Sequence, residues 1–243
     1  MTPETLVFDD KGELVTTAAR RFVDLVTRAQ SDHGVASVVL TGGSNGIAIL
    51  RALAADSGDI DWGRVELFWG DDRFVPADDP ERNYGQARDA LLDHVPIDPE
   101  RVHAMAPSDG EFGDDIAAAA ADYAGVLERF GAGRVPHFDL HLLGMGGEGH
   151  INSLFPHSAA TAETEKTVVA VEDSPKPPPR RITLTLPVVN RSKAVWFLVA
   201  GDDKAEAVSA AHTGAHAADW PCAGAHGTDE TVWLLDRGAA SRL

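Results

Sequence analysis

Short runs of β-branched or aliphatic residues alternate along this chain with alanine-rich stretches of helical spacing. Stretches such as LVTTAARRFVDLVTRA and DDIAAAAADYAGVLERF separate the apolar runs. Strands that alternate with helices form a mostly parallel sheet covered by helices on both faces, so the sequence predicts a Rossmann-like α/β fold. The predicted strands are LVF near residue 6, VASVVL (35–40), VELFW (65–69), FDLHLL (138–143), TVVAV (167–171), ITLTL (182–186), AVWFLVA (194–200) and TVWLL (231–235).

The alternation breaks between residues 150 and 192. Pro156, the run SPKPPPRR and two strand-like segments with no helix between them fall in this range. We expect a small inserted β-containing segment here, with the proline-rich piece at 175–179 as a stiff ordered loop. The 243 residues, 44% of them hydrophobic, are enough to bury one large core, and we expect a single domain over residues 1–243.

Charge and cysteine content exclude several classes of function. The formal net charge of −17 would repel the phosphates of nucleic acids and anionic membrane surfaces. One cysteine, Cys222, cannot form an internal disulfide framework. The first thirty residues lack the pattern of a signal peptide, and the apolar runs are too short to span a bilayer. We therefore expect a cytoplasmic protein with no nucleic-acid or membrane partner.

The segment VVLTGGSNGIAILRAL places Gly42, Gly43 and Ser44 between a predicted strand and a predicted helix. Free N–H groups at a helix start, together with the helix dipole, favour an anion, and glycine allows a phosphate to approach closely. The alternative is an ordinary tight turn with a helix cap. A Walker loop is excluded because no Lys-Ser or Lys-Thr follows the glycines.

A second glycine loop, LLGMGGEGHINSLFP, has Gly144, Gly146 and Gly149 in the spacing GxGxxG. A dinucleotide fingerprint should open an amphipathic helix in the first βαβ unit, whereas this one lies past the middle of the chain and runs into a proline. The better interpretation is a glycine loop at the carboxyl end of a strand, which holds His150 where a ligand would bind. Histidine can take a proton from water near neutral pH, and Glu148 could orient it.

Four basic residues fall in loops near strand ends, and their recurrence there favours a shared anion site: Arg73, Arg180, Arg181 and Lys204. The alternative for each is a salt bridge with one of the abundant surface acids. Asp71 and Asp72 could assist proton transfer or could hold Arg73 in an ion pair. The run HTGAHAADWPCAGAH carries His212, His216, Cys222 and His226 but lacks compact cysteine pairs, so we predict a surface connection and no metal site.

Taken together, these motifs resemble the 6-phosphogluconolactonase family of the pentose phosphate pathway, in the superfamily that also contains glucosamine-6-phosphate deaminase. The likeness runs nearly from end to end. Its carriers are LTGGSNG, FWGDDRFVP, the Asn83 of RNYGQA, LLGMGGEGHINSLFP, PPPRRITLTLP and GDDKAEAV. Any one of these motifs alone would be weak evidence for the family, but their order and spacing together are specific to it.

The resemblance implies hydrolysis of a phosphorylated sugar lactone, 6-phospho-D-glucono-1,5-lactone, to 6-phosphogluconate without a metal or organic cofactor. It implies that His150 is the general base, with Glu148 beside it. Arg181 rather than Arg180 fits the family pattern Pro-Pro-x-Arg-x-Thr. The substrate-binding residues that we predict are Gly42, Gly43, Ser44, Asp71, Arg73, Asn83, Gly144, Gly146, Arg181 and Lys204.

Two positions depart from the family. Many members have Asp where this chain has Glu148, and many have Glu where it has Asp72. Of the rival functions, a sugar-phosphate isomerase or deaminase would carry Asn-Glu-Pro where this chain reads Leu154, Phe155 and Pro156. A non-catalytic sugar-phosphate sensor of the transcription-regulator type would need a DNA-binding unit, which is not visible. We expect a monomer or a weak oligomer.

Overall fold

The computed structural model describes residues 2–243, and its largest element is a six-stranded sheet in which all neighbouring strands are parallel. In spatial order the strands are β1 (Glu4–Phe8), β9 (Glu230–Asp236), β8 (Ala194–Val199), β5 (Leu140–Leu143), β2 (Ala36–Leu40) and β3 (Val65–Trp69). The helices are α1 (Lys11–His33), α2 (Gly43–Ala55), α3 (Asn83–Ala90), α4 (Ile116–Phe130), α5 (Leu186–Val189) and α6 (Ala205–His212). The predicted mostly parallel α/β fold is confirmed.

The longest helix, α1, shows how the sequence specifies these elements. Asp10 caps its first turn, where a side-chain oxygen accepts the Glu13 N–H at 3.0 Å. One side of the helix is buried by an apolar stripe that recurs every three or four residues. Gly34 ends the helix in a left-handed conformation, with φ of 93°.

The main sheet separates two apolar cores. Along β8, Trp196 and Leu198 pack into the larger core with α1 and α2, whereas Phe197 and Val199 pack into the smaller core with α6. Side chains of a strand alternate between the two faces of a sheet, so a strand that is covered on both sides is apolar throughout. All six residues of β8 are buried for this reason.

A second, antiparallel sheet confirms the predicted insertion. It contains β6 (Val168–Val171) and β7 (Arg181–Leu184) from that segment, and it adds β4 (Asp71–Arg73), which we did not predict. In the ladder between β4 and β7, Arg73 is paired with Arg181. The insertion therefore brings two of the predicted cationic residues to adjacent strands.

The connectivity of the main sheet reverses direction at β2. From β2 the chain goes to β3 on one side, and it later returns to β5 on the other side. Ligands of open α/β sheets bind at such a switch point, beyond the carboxyl ends of the strands. The two glycine loops follow β2 and β5, so both lie at this position. Among residues 2–243, no helix has the length and apolar character needed to cross a bilayer.

Candidate active site

A cavity of about 140 Å³ lies at the switch point between the two glycine loops. Its walls come from the ends of β2 and β5, from β4 and β7, and from the start of α3. The lining residues are Thr41, Gly42, Gly43, Asp71, Arg73, Asn83, Gly144, Met145, His150, Asn152 and Arg181. The structure thus brings together eight of the residues that the sequence predicted for the site.

The first glycine loop forms the start of α2. Gly42 precedes the helix, and a Cβ there would lie 2.0 Å from Asn83 Oδ1, so no side chain fits. Gly43 has φ of 78°, a conformation that favours glycine. The first N–H groups of a helix have no partner within it, and they carry the positive end of the helix dipole. Gly43 and Arg73 line both this cavity and a neighbouring one of about 580 Å³, and Ser44 lines the neighbouring one.

One wall of the site, which we call the aspartate wall, consists of Asp71, Asp72, Arg73, Arg82 and Asn83. The Asn83 amide links its neighbours, because Oδ1 accepts a hydrogen bond from Arg73 Nη1 while Nδ2 donates to the Asp71 carbonyl at 2.8 Å. Ser153 Oγ donates to Asp71 Oδ2 at 2.6 Å. The Arg73 guanidinium is therefore positioned by a neutral amide and not by a direct ion pair with either aspartate.

Within this wall, Asp72 does not line the cavity and is 1% exposed. Its carboxylate accepts N–H groups from Arg73 and Asn83, at 2.8 and 2.6 Å, and from Tyr84, and it lies 3.4 Å from Arg82 Nη2. Burial raises the pKa of Asp72 to about 6, against the opposing effects of Arg82 and the three N–H groups. Asp72 is thus a buried support for β4 and α3, whereas Asp71 lines the cavity.

The second glycine loop, which we call the histidine loop (residues 144–150), forms the opposite wall. The Gly146 N–H donates to the His150 carbonyl at 3.0 Å, and the Gly149 N–H donates to the Gly146 carbonyl at 3.0 Å. A Cβ on Gly146 would lie 2.0 Å from His150 Nδ1 and 2.6 Å from Glu148 Oε2. The glycine at 146 is required because the backbone folds directly against both functional side chains.

His150 and Glu148 are adjacent within this loop. His150 Nδ1 lies 3.1 Å from Glu148 Oε1, and the imidazole ring stacks on Phe155 with centroids 4.4 Å apart. Lys176 lies on the other side of the carboxylate, with Nζ 2.9 Å from Oε1. The His150 ring, and after it the Lys176 ammonium, hold the pKa of Glu148 well below its ordinary value. Glu148 is therefore an anion at neutral pH.

The other predicted cations have different surroundings. Arg181 is buried and donates from Nε to the Pro178 carbonyl at 3.0 Å, with Nη1 3.9 Å from Asp71 Oδ2. Arg180 points away, where it contacts Asp114 and Glu172 in exposed ion pairs. Lys204 Nζ pairs with Asp203 at 2.8 Å and does not contribute to the lining of the cavity.

Comparison with known proteins places the chain in a family. The model for "Glucosamine-6-phosphate isomerases/6-phosphogluconolactonase" matches residues 9–233. The chain belongs to this family. Curated relatives named 6-phosphogluconolactonase include one from Mycobacterium tuberculosis, 56% identical over all of this chain and 99% of its own length. Another, from Streptomyces coelicolor, is 52% identical over all of this chain and 95% of its own length. These relatives confirm the predicted resemblance to the lactonase branch.

Solved structures of the family have the same fold. The 6-phosphogluconolactonase from Trypanosoma brucei is 27% identical, with a TM-score of 0.83 over 99% of this chain and 98% of its own. A monomeric glucosamine-6-phosphate deaminase, 22% identical with a TM-score of 0.82 over 99% of this chain and 100% of its own, shares the fold. The fold is therefore common to both branches of the family, and side chains must distinguish them.

Three residues of the lining were not predicted from the sequence: Thr41, Met145 and Asn152. Asn152 has φ of 47° and is 7% exposed, and within residues 2–243 neither atom of its amide has a hydrogen-bond partner. Gly70 lies against it, since a Cβ there would be 2.3 Å from Asn152 Oδ1. The sequence signal that could have found it is an asparagine two residues after His150, because asparagine is enriched at positions of positive φ.

His212 and His216, which lie outside the site, contact neighbouring parts of the fold. His212 contacts Thr5 and the Trp233 ring, and His216 Nδ1 accepts the Ala218 N–H at 3.1 Å. Within residues 2–243, no group of three or more His, Cys, Asp or Glu side chains could hold a metal ion. His141 is fully buried on β5, and burial lowers its pKa to about 3, so it is neutral.

Proposed function

We propose that this protein hydrolyses 6-phospho-D-glucono-1,5-lactone to 6-phospho-D-gluconate in the oxidative pentose phosphate pathway, with His150 as the general base. The observation that carries the proposal is the arrangement of His150, which lines the cavity with Nδ1 3.1 Å from an ionised carboxylate. The pair is a close ionic contact outside hydrogen-bond geometry, and the negative charge beside Nδ1 favours the tautomer that carries its proton there. Nε2 is then the nitrogen that can take a proton from water.

The reaction needs one water and no redox step. The water oxygen attacks the lactone carbonyl carbon while His150 Nε2 takes its proton, which produces a tetrahedral oxyanion. When the oxyanion collapses, the bond between the carbonyl carbon and the ring oxygen breaks, and His150 returns the proton to that oxygen. The product is the open-chain acid. A general base of this kind contributes a rate factor of about 10² to 10⁴.

Recognition of the substrate phosphate is proposed for the first glycine loop and the cations beside it. Gly43 and Arg73 line both cavities and Ser44 lines the second, so the first N–H groups of α2 and the Arg73 guanidinium face the same region. Arg73 is held there by Asn83, so its cost of ordering is already met in the unliganded protein. Lys204, outside the cavity lining, would join this set only by leaving Asp203.

The test is the disappearance of freshly generated 6-phosphogluconolactone at neutral pH, compared with spontaneous opening in buffer. We expect rapid opening by the wild type and a rate about 10² to 10⁴ lower for His150→Ala. His157→Ala is the matched control, because this nearby histidine is exposed and its salt bridge within residues 2–243 is with Asp219. Unphosphorylated gluconolactone, which lacks the phosphate, should react poorly. If the wild type opens the phosphorylated lactone no faster than buffer does, the proposal is wrong.

Glucosamine 6-phosphate should be included as a second substrate. Deamination would need a carboxylate for ring opening, and the positions that would supply it carry Leu154, Phe155 and Pro156. We expect no release of ammonia. Ammonia release at a rate comparable to lactone opening would place the protein in the other branch of the family.

A further inference from the structure

The proline-rich segment, which we call the proline loop (residues 174–180), contributes a lysine to the surroundings of the histidine loop. Lys176 Nζ lies 2.9 Å from Glu148 Oε1 and 3.0 Å from Oε2, so the ammonium bridges both carboxylate oxygens. Glu148 Oε1 is also the atom that lies 3.1 Å from His150 Nδ1. The three side chains form a row that begins on one loop and ends at the cavity.

The backbone at Lys176 is fixed from below. Arg181 Nη2 donates to the carbonyls of Lys176 and Pro177, at 2.9 and 3.3 Å, and Ser174 Oγ donates to the Lys176 carbonyl at 3.0 Å. Arg181 is 4% exposed, so these hydrogen bonds are shielded from water. Because a buried guanidinium donates hydrogen bonds to several carbonyls of the loop, it fixes the loop backbone and therefore the positions from which its side chains extend.

We infer that Lys176 is a positioning residue, which holds the Glu148 carboxylate at His150 Nδ1 and so keeps the imidazole in one tautomer and one orientation. This inference rests on the proposed function, because it matters for catalysis only if His150 is the base. The proline-rich motif that contains Lys176 otherwise indicates only a stiff loop. Alone, a Glu148 side chain that is 35% exposed could rotate into water.

The other charged side chains near this row, Asp203 and Arg181, do not hold the Glu148 carboxylate. Asp203 lies behind Gly147, and its carboxylate is paired with Lys204 at 2.8 Å. Arg181 stands 5.8 Å from the Phe155 ring, on which His150 stacks. Within residues 2–243, Lys176 is the cation that forms a salt bridge with Glu148. Its removal would leave the carboxylate with the His150 ring as its one side-chain partner.

The experiment compares Lys176→Met, Lys176→Arg and Lys166→Met in the full-length protein. Lys166→Met is the matched control, an exposed lysine on the other side of the insertion. Exposed ion pairs are weak, so for Lys176→Met we expect kcat to fall about two- to fivefold, with KM and Tm unchanged. Lys176→Arg should restore kcat, because a guanidinium can still hold the carboxylate. Equal kcat for Lys176→Met and Lys166→Met would overturn the inference.

A second readout does not depend on the reaction. Long-range ¹H–¹⁵N NMR of the unliganded protein reports which ring nitrogen of His150 is protonated. In the wild type we expect protonation at Nδ1, and in Lys176→Met an increased share of the Nε2-protonated form. An unchanged tautomer ratio in Lys176→Met would refute the positioning role. If the wild type failed to open the lactone while the tautomer shifted, the proposed function alone would be wrong.

Discussion

The two walls of the cavity are built in different ways. In the aspartate wall, Asp72 and Arg82 are 1% and 2% exposed, and hydrogen bonds from three backbone N–H groups fix the carboxylate. At the histidine loop, the pair that supports His150 is partly exposed, with the Glu148 side chain at 35% and the Lys176 side chain of the proline loop at 45%. Buried charges are costly to disturb, whereas exposed pairs contribute little stability. The difference indicates that one wall is part of the folded core and that the other can be adjusted without unfolding.

Removal of the buried Arg82 guanidinium should have the largest effect on the free energy of unfolding. Arg82→Met leaves the Asp72 carboxylate unpaired in the core and also removes the hydrogen bond to the Met105 carbonyl. We expect a loss of about 3 to 5 kcal/mol in the free energy of unfolding at pH 7, measured by urea denaturation. The loss should become smaller when the pH is lowered to 4, because Asp72 then takes up a proton. A loss that does not depend on pH would show that the ion pair is not its source.

The wild type should respond to pH through the same residue. The folded-state pKa of Asp72, about 6, is higher than its ordinary value of 3.8, so the folded state binds this proton more tightly than the unfolded state does. The contribution of Asp72 to stability is therefore greatest at low pH and is lost as the pH rises from about 4 to 6. Relative to Asp72→Asn, the wild type should lose about 3 kcal/mol across this window, which urea titrations at several pH values would measure. Parallel pH curves for the two proteins would contradict the shift.

Glu148 should show the opposite pattern, with a small effect on stability and a clear effect on rate. Glu148→Gln removes the anion beside His150, and we expect kcat to fall by about tenfold or more because the tautomer is no longer held. The free energy of unfolding should change by less than about 1 kcal/mol, since the pair with Lys176 is partly exposed and is screened by solvent. Because the folded-state pKa of Glu148 is lowered, its small contribution to stability is lost on acidification below its ordinary value, the reverse of Asp72. An equal loss of rate and stability would remove the distinction between the walls.

The smallest effect is expected at Arg180, next to the buried Arg181. Its ion pairs with Asp114 and Glu172 are on the surface. Arg180→Met should change the free energy of unfolding by no more than about 0.5 kcal/mol and leave kcat and KM unchanged. Thermal melts and steady-state kinetics would check this. A marked rise in KM would mean that the choice of Arg181 over Arg180 as the site residue is wrong.

Several parts of the site that the residues themselves predicted follow strand ends, whereas Asn83 came from the family resemblance. Gly42, Gly43, His150 and Arg73 could be placed because the carboxyl ends of parallel strands meet at one edge of the sheet. The glycines at 42 and 146 have no room for a Cβ, so their residue type was a direct sign of close packing. The strand periodicity that predicted the main sheet is likewise a local property of the chain.

The parts that were missed depend on contacts between distant segments. The strand β4 has the sequence Asp-Asp-Arg, which has no strand propensity, and it forms because β7 pairs with it. Arg82 was not singled out in the sequence, yet it is buried against Asp72. Lys176 lies 26 positions after His150, in a proline run whose sequence indicated stiffness but not direction. No period or spacing in the sequence encodes these pairings.

The position of Cys222 makes the opening of the histidine loop measurable. Its N–H donates to the Gly149 carbonyl at 2.9 Å, and its Sγ lies 3.2 Å from the place of a Cβ on Gly149. It is the single cysteine of the chain, and burial raises its pKa to about 12, so the native thiol is shielded from alkylating reagents. The rate at which a maleimide labels Cys222 therefore measures local unfolding of the backbone beneath His150. A ligand that fills the cavity should slow this labelling, even when the ligand is not turned over.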